Sequence, residues 1–362
     1  MTEQKSKYIE IVNWIRKKIA EGELTVGNRI YSENELVSIF GVSRQTVRHA
    51  ISILCNEGVL ERKRGSGTYI SKPKERKKDT KRIAVITTYI DEYIFPAIIK
   101  RVEQRLSKEG YVIQLSFTNN SVEKERQILE EILKSKSVDG IIVEATKSGL
   151  PNPNLHLYNE LKENDIPFIF INSYYPEIDA PHVSMNDRKA GHLVTQHLLR
   201  CGHRNIAASF KCDDGQGMLR YAGYMDALIE ADIRIRGERV IWIDTDEQRN
   251  LSEDTGRILR RIRNCTACVC YNDEVANKLV AICLEQGMKV PQDISITGMD
   301  NSDLTTYCEV PLTSAINPIK ELGETVAKAI LDLLAGRPVE KEIELEPKLE
   351  IRHSVRMVNE IS

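Results

Sequence analysis

The chain has 362 residues, of which 29% are charged and 41% hydrophobic, a composition that excludes a disordered chain and indicates two or three folded domains. No apolar run approaches the roughly 20 residues that span a bilayer, and the start MTEQKSKYIE lacks a secretion signal, so we expect a cytoplasmic protein without a membrane partner. Residues 1–82 carry 18 basic and 10 acidic side chains, whereas residues 83–362 carry 33 and 43. A basic head on an acidic body suggests that only the head meets nucleic acid.

The head contains the signals of a helix-turn-helix. An amphipathic stretch over Tyr8–Ala20 predicts a first helix, and Ser32 with Glu35 forms a capping box that starts a second. Gly41 permits the turn that ends this helix, and Ser43 can cap the next one. Apolar residues at helical spacing predict a shared core formed by Leu36, Ile39, Val42, Val47, Ala50, Ile51 and Leu54.

The third helix has an outward polar face suited to reading DNA. Arg44, Gln45, Arg48 and His49 share this face, and Arg or Gln side chains near a helix start can pair with base edges in a major groove. Thr46 is placed to reach a phosphate or a thymine methyl group. The segment VLERKRGSGTYI then reads as two short strands forming a basic wing that approaches the DNA backbone.

These motifs, ENELVSIFGVSRQTVRHAI followed by RGSGTYI, resemble the reading head of the GntR family of bacterial winged-helix regulators over residues 6–72. Tyr31 departs from that family, which usually has a proline before the Ser-Glu pair. We therefore expect a small winged helix-turn-helix domain over residues 1–71 that binds double-stranded operator DNA. The resemblance implies DNA contacts from Glu33, Arg44, Gln45, Thr46, Arg48, Arg64, Gly65 and Ser66.

A charged segment without apolar periodicity, residues 72–82, predicts an exposed linker. Beyond it, over residues 83–362, short Val/Ile-rich runs alternate with amphipathic helical stretches, a pattern typical of α/β folds with parallel sheets covered on both faces. The pattern pauses near PHVSMNDRKAG and then begins again. The body is therefore predicted to have two doubly wound lobes with a cleft between them.

Polar residues follow several of the predicted strands of the body. Because ligands bind at the carboxyl ends of parallel strands, these residues are candidates for a binding site, although each can instead cap a helix or a turn. Planar polar groups with aromatic faces suit an uncharged polyol, which points to a sugar. The candidates are Tyr89, Asp91, Tyr93, Glu144, Asp187, Arg220, Asn272 and Asp300.

Pro96 is placed to start the first helix of the body, and Ile98, Ile99, Val102 and Leu106 form an apolar stripe along it. The stripe either packs on its own sheet or forms a dimer seam. The cysteines in ACVCYND read as part of a buried strand, and the histidines of AGHLVTQHLLRCGHRN lie off a common helical face. Neither group predicts a metal site, and no cofactor is expected.

Residues 81–357 resemble the sensor body of the LacI/GalR family, which implies a two-lobed fold like that of periplasmic binding proteins. The matching motifs are VDGIIVEA, SMNDRKAGHLVTQHLLRCGHRNIA, CYNDEVA, ISITGMDNS and PLTSAIN. A GntR-type head on such a body, together with TTYIDEYIFPAIIKRVE, is similar to the arabinose-responsive repressors of Gram-positive bacteria. The resemblance implies a homodimer that L-arabinose releases from DNA. It also implies that the sugar contacts Tyr93, Phe95, Glu144, Asp187, Arg220, Asn272 and Asp300.

Other functions use the same body. A sugar-acting enzyme is disfavoured because the sequence lacks GxxxxGK[ST], GxSxG and HExxH, and GxGxxG after a strand. A transport-type binding protein would need a signal peptide and no basic head. Ribose, xylose or galactose would use the same residue types as arabinose, and the sequence does not separate a repressor from an activator.

Overall fold

The computed structural model describes residues 3–20, 22–56, 58–63, 66–71, 80–89 and 93–358, without the side chains of residues 3–6, 20 and 56. The chain divides into two compact units, residues 1–79 and 80–362. Of the sequence predictions, Arg64, Gly65, Asp91 and residues 72–79 of the linker predicted over residues 72–82 lie outside the described residues. No helix in the described ranges is long and apolar enough to cross a membrane.

The first unit is a winged helix-turn-helix of three helices and one antiparallel hairpin. The predicted capping box is present, since Ser32 Oγ accepts from the Glu35 amide at 3.3 Å and the Glu35 carboxylate accepts from the Ser32 amide at 2.7 Å. Gly41 ends the second helix in the left-handed region at φ 61°. The elements are α1 (Glu3–Ala20), α2 (Glu33–Phe40), α3 (Arg44–Asn56), β1 (Leu60–Lys63) and β2 (Gly67–Ile70).

The core of this unit joins all three helices to both strands of the wing. One predicted core residue is wrong, because Ile39 is 50% exposed. Ile39 lies three residues after Leu36, which is helical spacing. However, α2 has only two turns, and the face that carries Ile39 points away from α1 and α3, so periodicity alone could not place it. The remaining predicted residues are buried or packed against the core: Leu36, Val42, Val47, Ala50, Ile51 and Leu54.

The second unit consists of two lobes of alternating strands and helices. In chain order its elements are β3 (Arg82–Thr87), α4 (Phe95–Leu106), β4 (Val112–Phe117), α5 (Val122–Ser135), β5 (Gly140–Val143), α6 (Leu155–Glu163), β6 (Phe168–Ile171), β7 (His182–Met185), α7 (Asp187–Arg200), β8 (Ile206–Lys211), α8 (Gly215–Glu230), β9 (Val240–Ile243), α9 (Thr245–Arg249), α10 (Thr255–Ile262), β10 (Ala267–Cys270), α11 (Asp273–Glu285), β11 (Ser295–Asp300), α12 (Leu304–Tyr307), β12 (Thr313–Ile316), α13 (Ile319–Leu334), β13 (Glu342–Leu345) and β14 (Lys348–Glu350).

Each lobe is built on a six-stranded sheet, and the two sheets share one topology. The amino-terminal lobe has the order β13-β7-β6-β5-β3-β4 with parallel pairing throughout. The carboxy-terminal lobe has the order β14-β12-β11-β10-β8-β9, in which only β14 runs antiparallel to its neighbour. The predicted α/β architecture of two doubly wound lobes is confirmed, and in both lobes the strand order reverses beside the first strand, where ligands bind in such sheets.

The chain crosses between the lobes three times, after β7, after β12 and after β13. The last two crossings send α13 back to the amino-terminal lobe and β14 to the edge of the other sheet. Because each crossing is short, the lobes can rotate about these connections while their own cores stay intact.

The apolar stripe of α4 packs within its own lobe. Ile98, Val102 and Leu106 are almost fully buried in one core with β3 and α13, and Ile99 is 9% exposed. The structure therefore selects the first of the two interpretations and rejects this stripe as a dimer seam. Pro96 occupies the first turn of α4 as expected.

Candidate functional site

The predicted reading face of α3 is exposed and held in place by α2. Arg48 Nε donates to Glu33 Oε2 at 2.9 Å, and Arg44 Nη2 donates to Asn34 Oδ1 at 2.6 Å. Arg44 Nε also lies 3.8 Å from the same Glu33 oxygen. Gln45 is exposed beside them. Both guanidinium groups therefore project from the start of α3, oriented by polar side chains of the preceding helix.

Two other residues of α3 are more constrained than the sequence suggested. Thr46 is 9% exposed, and its hydroxyl lies 2.9 Å from Ser43 Oγ, which also caps the helix by accepting from the Thr46 amide at 3.2 Å. The His49 ring packs edge-on against Tyr8 of α1, with 4.8 Å between centroids. Arg44, Gln45 and Arg48 thus carry most of the accessible reading surface of this helix.

The wing adds basic and polar groups around the hairpin. Ser66 is exposed, its Oγ lies 2.6 Å from the Tyr69 hydroxyl, and Lys63 Nζ lies 4.8 Å from the centre of the Tyr69 ring. Arg29 was missed by sequence reasoning: its guanidinium lies so close to Gly67 that a Cβ there would come within 2.6 Å of Arg29 Nε. Sequence analysis could not select Arg29, because it belongs to no motif and stands a few residues before the capping box.

A polar cleft opens at the carboxyl ends of the strands, between the lobes, and encloses about 90 Å³. Of the seven predicted effector residues, six line it: Tyr93, Phe95, Glu144, Arg220, Asn272 and Asp300. Asp187 does not line it, and lies behind Arg220 as a supporting carboxylate. A cavity this small lies below the roughly 300–1,000 Å³ of pockets for drug-sized molecules.

Arg220 of α8 is the centre of the carboxy-terminal wall. Its side chain is fully buried, and it donates to Asp187 Oδ1 at 2.7 Å, to Asp300 Oδ1 at 2.9 Å and to the Tyr271 carbonyl at 2.7 Å. Burial raises the pKa of Asp187 to about 7, and the nearby guanidinium opposes that rise. Arg220 therefore fixes both carboxylates, and Asp300 is presented to the cleft.

Tyr93 links this wall to the amino-terminal lobe. Its hydroxyl donates to Asp300 Oδ2 at 2.9 Å and accepts from the Asp273 amide at 3.2 Å. Burial, together with the carboxylates of Asp273 and Asp300, raises the pKa of the Tyr93 phenol, which therefore stays a hydrogen-bond donor. Tyr93 and Asp300 both have positive φ, 60° and 92°, a backbone region that non-glycine residues adopt rarely.

Glu144 follows β5 and forms part of the opposite wall. Its Oε2 accepts from the Thr88 amide at 2.8 Å and the Thr88 hydroxyl at 2.5 Å, and its Oε1 accepts from Asn172 Nδ2 at 3.2 Å. Burial raises the pKa of Glu144 above its ordinary value, and these hydrogen bonds oppose the rise. The carboxylate is held rigidly at the cleft.

Asn272 caps α11, and its Oδ1 accepts from the Val275 amide at 3.0 Å. The structure also adds cleft residues that sequence reasoning did not select, among them Lys211 at the end of β8, Asn172 after β6 and Asp214 at the start of α8. Lys211 and Asn172 could have been found from their position at strand ends. However, Lys and Asn at a strand end are equally typical of residues that contact solvent.

A second set of contacts joins the lobes beside the cleft. Asn120 Nδ2 donates to Thr245 Oγ1 at 2.6 Å, and the Gly215 amide donates to Ser148 Oγ at 2.9 Å. Gly149 approaches the other lobe so closely that a Cβ would lie 2.8 Å from both the Asp214 nitrogen and the Cys212 oxygen. Direct contacts on both sides of the cavity therefore place the lobes in a closed arrangement.

Metal chemistry finds no support in the described ranges, where no three His, Cys, Asp or Glu side chains are grouped to hold an ion. The cysteines of β10, Cys268 and Cys270, are buried and unpaired, and Cys265 just before it is likewise a free, buried thiol.

Two known families match the chain. Residues 7–70 match the family described as bacterial regulatory proteins, gntR family, and residues 195–355 match the periplasmic binding protein-like domain. An arabinose metabolism transcriptional repressor from Halalkalibacterium halodurans is 41% identical over 96% of this chain and 96% of its own length. A second protein of that name, from Geobacillus stearothermophilus, is 38% identical over 97% of this chain and 98% of its own.

Solved structures share the fold of the body. A transcriptional regulator CelR–cellobiose complex superposes with a TM-score of 0.68 at 22% identity, covering 86% of this chain and 91% of the regulator. The transcription regulator CcpA of Lactococcus lactis superposes with a TM-score of 0.67 at 28% identity, covering 76% of this chain and 99% of that regulator.

Proposed function

Because this chain belongs to the family of arabinose metabolism transcriptional repressors, and is a sugar-sensing repressor and not an enzyme, we propose that its effector is L-arabinose. We further propose that it binds operator DNA as a homodimer, through the residues assigned above, and that it works in the cytoplasm, where operator DNA lies. The observation that carries the effector proposal is the closed cleft, in which polar side chains of both lobes surround a cavity of about 90 Å³.

The same cleft supports a mechanism for release. Glu144 lies on one wall, and Arg220, Asn272 and Asp300 lie on the other, so a small polyol satisfies both walls only when the lobes are closed. Sugar binding then favours the closed body over the open one. We propose that closure changes how the two bodies of the dimer lie against each other, and so changes the spacing of the two heads on operator half-sites.

Calorimetric titration of the full chain with a panel of pentoses and hexoses tests the effector. We expect saturable binding of L-arabinose and at least tenfold weaker binding of ribose, xylose and galactose, because ribose and xylose alter the position of one or more hydroxyl groups against fixed partners and galactose adds a hydroxymethyl group to a small cavity. If another sugar bound more tightly, the protein would still be a sugar sensor, but that sugar would be its effector.

The reading helix gives a prediction for DNA binding. Arg48→Ala should weaken operator binding by about 1–3 kcal/mol, because Arg48 is exposed at the start of α3 and oriented by Glu33. A gel-shift titration measures the loss, with the exposed body variant Arg234→Ala as the matched control. Unchanged affinity in the Arg48→Ala protein would remove α3 from the base-reading role.

A dimer needs a surface other than the α4 stripe, and β4 offers one. It is the edge strand of the amino-terminal sheet, and Val112, Leu115 and Phe117 are 65%, 39% and 45% exposed along it. An unpaired apolar edge favours aggregation unless a partner covers it, and each head reads only half of an operator. We propose that a second copy of the chain covers β4.

Phe117→Glu tests this seam. The change removes a ring whose burial contributes about 1.5–3 kcal/mol and adds a charge, so we expect the dimer dissociation constant to rise at least tenfold. Sedimentation equilibrium measures the constant. The control is Leu150→Glu, which alters a leucine of similar exposure (47%) away from β4. A Phe117→Glu protein as dimeric as the control would place the seam elsewhere.

A further inference from the structure

Lys211 is a buried ammonium group without a short hydrogen bond. It is the last residue of β8, is 7% exposed and lines the cleft. Its Nζ lies 3.5 Å from Asp214 Oδ2 and 3.7 Å from Asp213 Oδ1, beyond the roughly 2.7–2.9 Å of a charge-assisted hydrogen bond. Burial opposes its charge, but Asp214 and Asp213 raise the pKa of Lys211 above its ordinary value. The group therefore keeps its three N–H donors.

The carboxylates beside this ammonium hold it only at long range. Asp214 Oδ2 already accepts from the Tyr271 hydroxyl at 2.5 Å, whereas Asp213 Oδ1 has no hydrogen-bond partner in the described ranges yet stays 3.7 Å from Lys211 Nζ. They balance the charge of Lys211 from a distance, and the side chain lines the cavity. A buried donor is normally satisfied, so the cleft has room for an acceptor here.

Asn172 is the complementary group on the opposite lobe. It follows β6 at φ 61°, is 5% exposed and also lines the cleft. Its Nδ2 donates to Glu144 Oε1 at 3.2 Å, and because a carboxylate accepts, this contact fixes the orientation of the amide. Asn172 Oδ1 is then a buried acceptor, and within the described part of the chain it has no hydrogen-bond partner.

The charges of the lining determine which ligand fits these two groups. Among the described residues, three cationic side chains line the cleft, Lys211, Arg220 and Arg249, against four acidic ones, Glu144, Asp214, Glu274 and Asp300. Two of the three cations already lie within ion-pair distance of two carboxylates each. An anionic ligand would therefore meet a surplus of carboxylates, whereas a hydroxyl group can accept from Lys211 and donate to Asn172.

We infer that Lys211 and Asn172 are specificity-determining residues of the cleft, one on each lobe, which hold hydroxyl groups of an uncharged sugar and reject its acidic forms. This inference rests on the effector function proposed above and names the class of effector. Because each lobe supplies one group that can still form a short hydrogen bond, the sugar contacts both only in the closed arrangement, so the pair also couples recognition to closure.

Calorimetry on the full chain tests the pair, with L-arabinose as the probe for the wild type, Lys211→Met and Asn172→Gly. Glycine tolerates the positive φ of residue 172, and methionine preserves most of the lysine volume. Loss of a charged hydrogen bond predicts about 10- to 100-fold weaker arabinose binding for Lys211→Met, and loss of a neutral one predicts about 2- to 10-fold for Asn172→Gly. The exposed α5 variant Lys134→Met is the control and should bind like the wild type.

The second arm titrates the wild type with L-arabinonate, which carries a carboxylate, and we expect at least tenfold weaker binding than for arabinose.

Operator binding without sugar verifies that each variant is folded. A folded Lys211→Met protein within twofold of the wild type overturns the role of Lys211. If that variant does not fold, an Asn172→Gly protein with wild-type affinity overturns the pair. Equal binding of arabinonate overturns the uncharged class. A wild type that binds no monosaccharide overturns the proposed function, and this inference with it.

Discussion

Arg220→Ala should lower the free energy of unfolding of the carboxy-terminal lobe by about 3–5 kcal/mol, because it leaves buried carboxylates without their cation. The guanidinium is 1% exposed and bonds both Asp187 and Asp300, which are themselves buried. Neither carboxylate has another cation within ion-pair distance in the described ranges. The loss therefore exceeds that expected from an ordinary hydrogen bond.

Urea unfolding followed by tryptophan fluorescence measures this effect. The chain has two tryptophans, so in a Trp14→Phe background Trp242 of β9 reports on the carboxy-terminal lobe alone. The control is Arg188→Ala, which removes an ion pair of similar length, 2.6 Å to Asp226, from a side chain that is 60% exposed. Exposed pairs contribute about 0–1 kcal/mol. A loss for Arg220→Ala no larger than for Arg188→Ala would contradict the buried network.

This result bears on how the effector site is probed. Arg220 lines the cleft and also holds the wall together, so loss of sugar response in an Arg220→Ala protein does not separate contact from folding. Lys211 and Asn172 are cleaner probes, because both line the cavity and their side-chain contacts in the described ranges are longer, 3.2 Å or more, than the three bonds of 2.7–2.9 Å that Arg220 makes.

Gly149→Ala should weaken the response to arabinose by about 5- to 150-fold, the equivalent of the roughly 1–3 kcal/mol that overpacking costs. An added Cβ would lie 2.8 Å from the Asp214 nitrogen and the Cys212 oxygen, which are backbone atoms of the other lobe and cannot rotate away. The closed arrangement is therefore penalised, whereas an open one leaves room for the methyl group. Operator binding without sugar should not change.

Release of labelled operator DNA with increasing arabinose measures the midpoint for this variant. Gly149 does not line the cavity, so a shift in the midpoint reflects closure and not lost sugar contacts. Gly237→Ala, in the carboxy-terminal lobe, is the control, because an added Cβ there meets nothing within 4 Å. A Gly149→Ala midpoint equal to that of the control would mean that the lobes do not close on the sugar.

Local signals in the sequence predict much of this fold. The capping box at Ser32, the turn at Gly41 and the repeated strand and helix pattern depend on neighbouring residues, and each has the expected structure. Ile39 and the α4 stripe required knowledge of which distant element covers an apolar face. Helical periodicity does not contain that information, since Ile98 and Val102 have the same spacing whether α13 or a second chain covers them.

In the cleft, too, local sequence signals predict some residues, whereas the roles of others depend on contacts between distant parts of the chain. Strand ends predict where a site lies, and six of the seven proposed effector residues line it. Asp187 was assigned to the sugar but supports Arg220 instead, and Lys211 and Asn172 were not selected, because these roles follow from which hydrogen bonds neighbouring side chains already make. The contacts between the lobes, such as Asn120 with Thr245, join residues 125 positions apart and have no local signal.

In the proposed mechanism, L-arabinose and operator DNA compete through one body that closes on the sugar. The test uses a labelled operator that the protein has itself selected from random duplexes. Its fluorescence anisotropy in complex with the protein is followed during titration with arabinose. We predict a saturable 5- to 150-fold loss of operator affinity, for a coupling of about 1–3 kcal/mol, with the same factor lost in arabinose affinity when operator is in excess. An operator complex of unchanged affinity at arabinose concentrations that saturate the cleft by calorimetry would contradict the account.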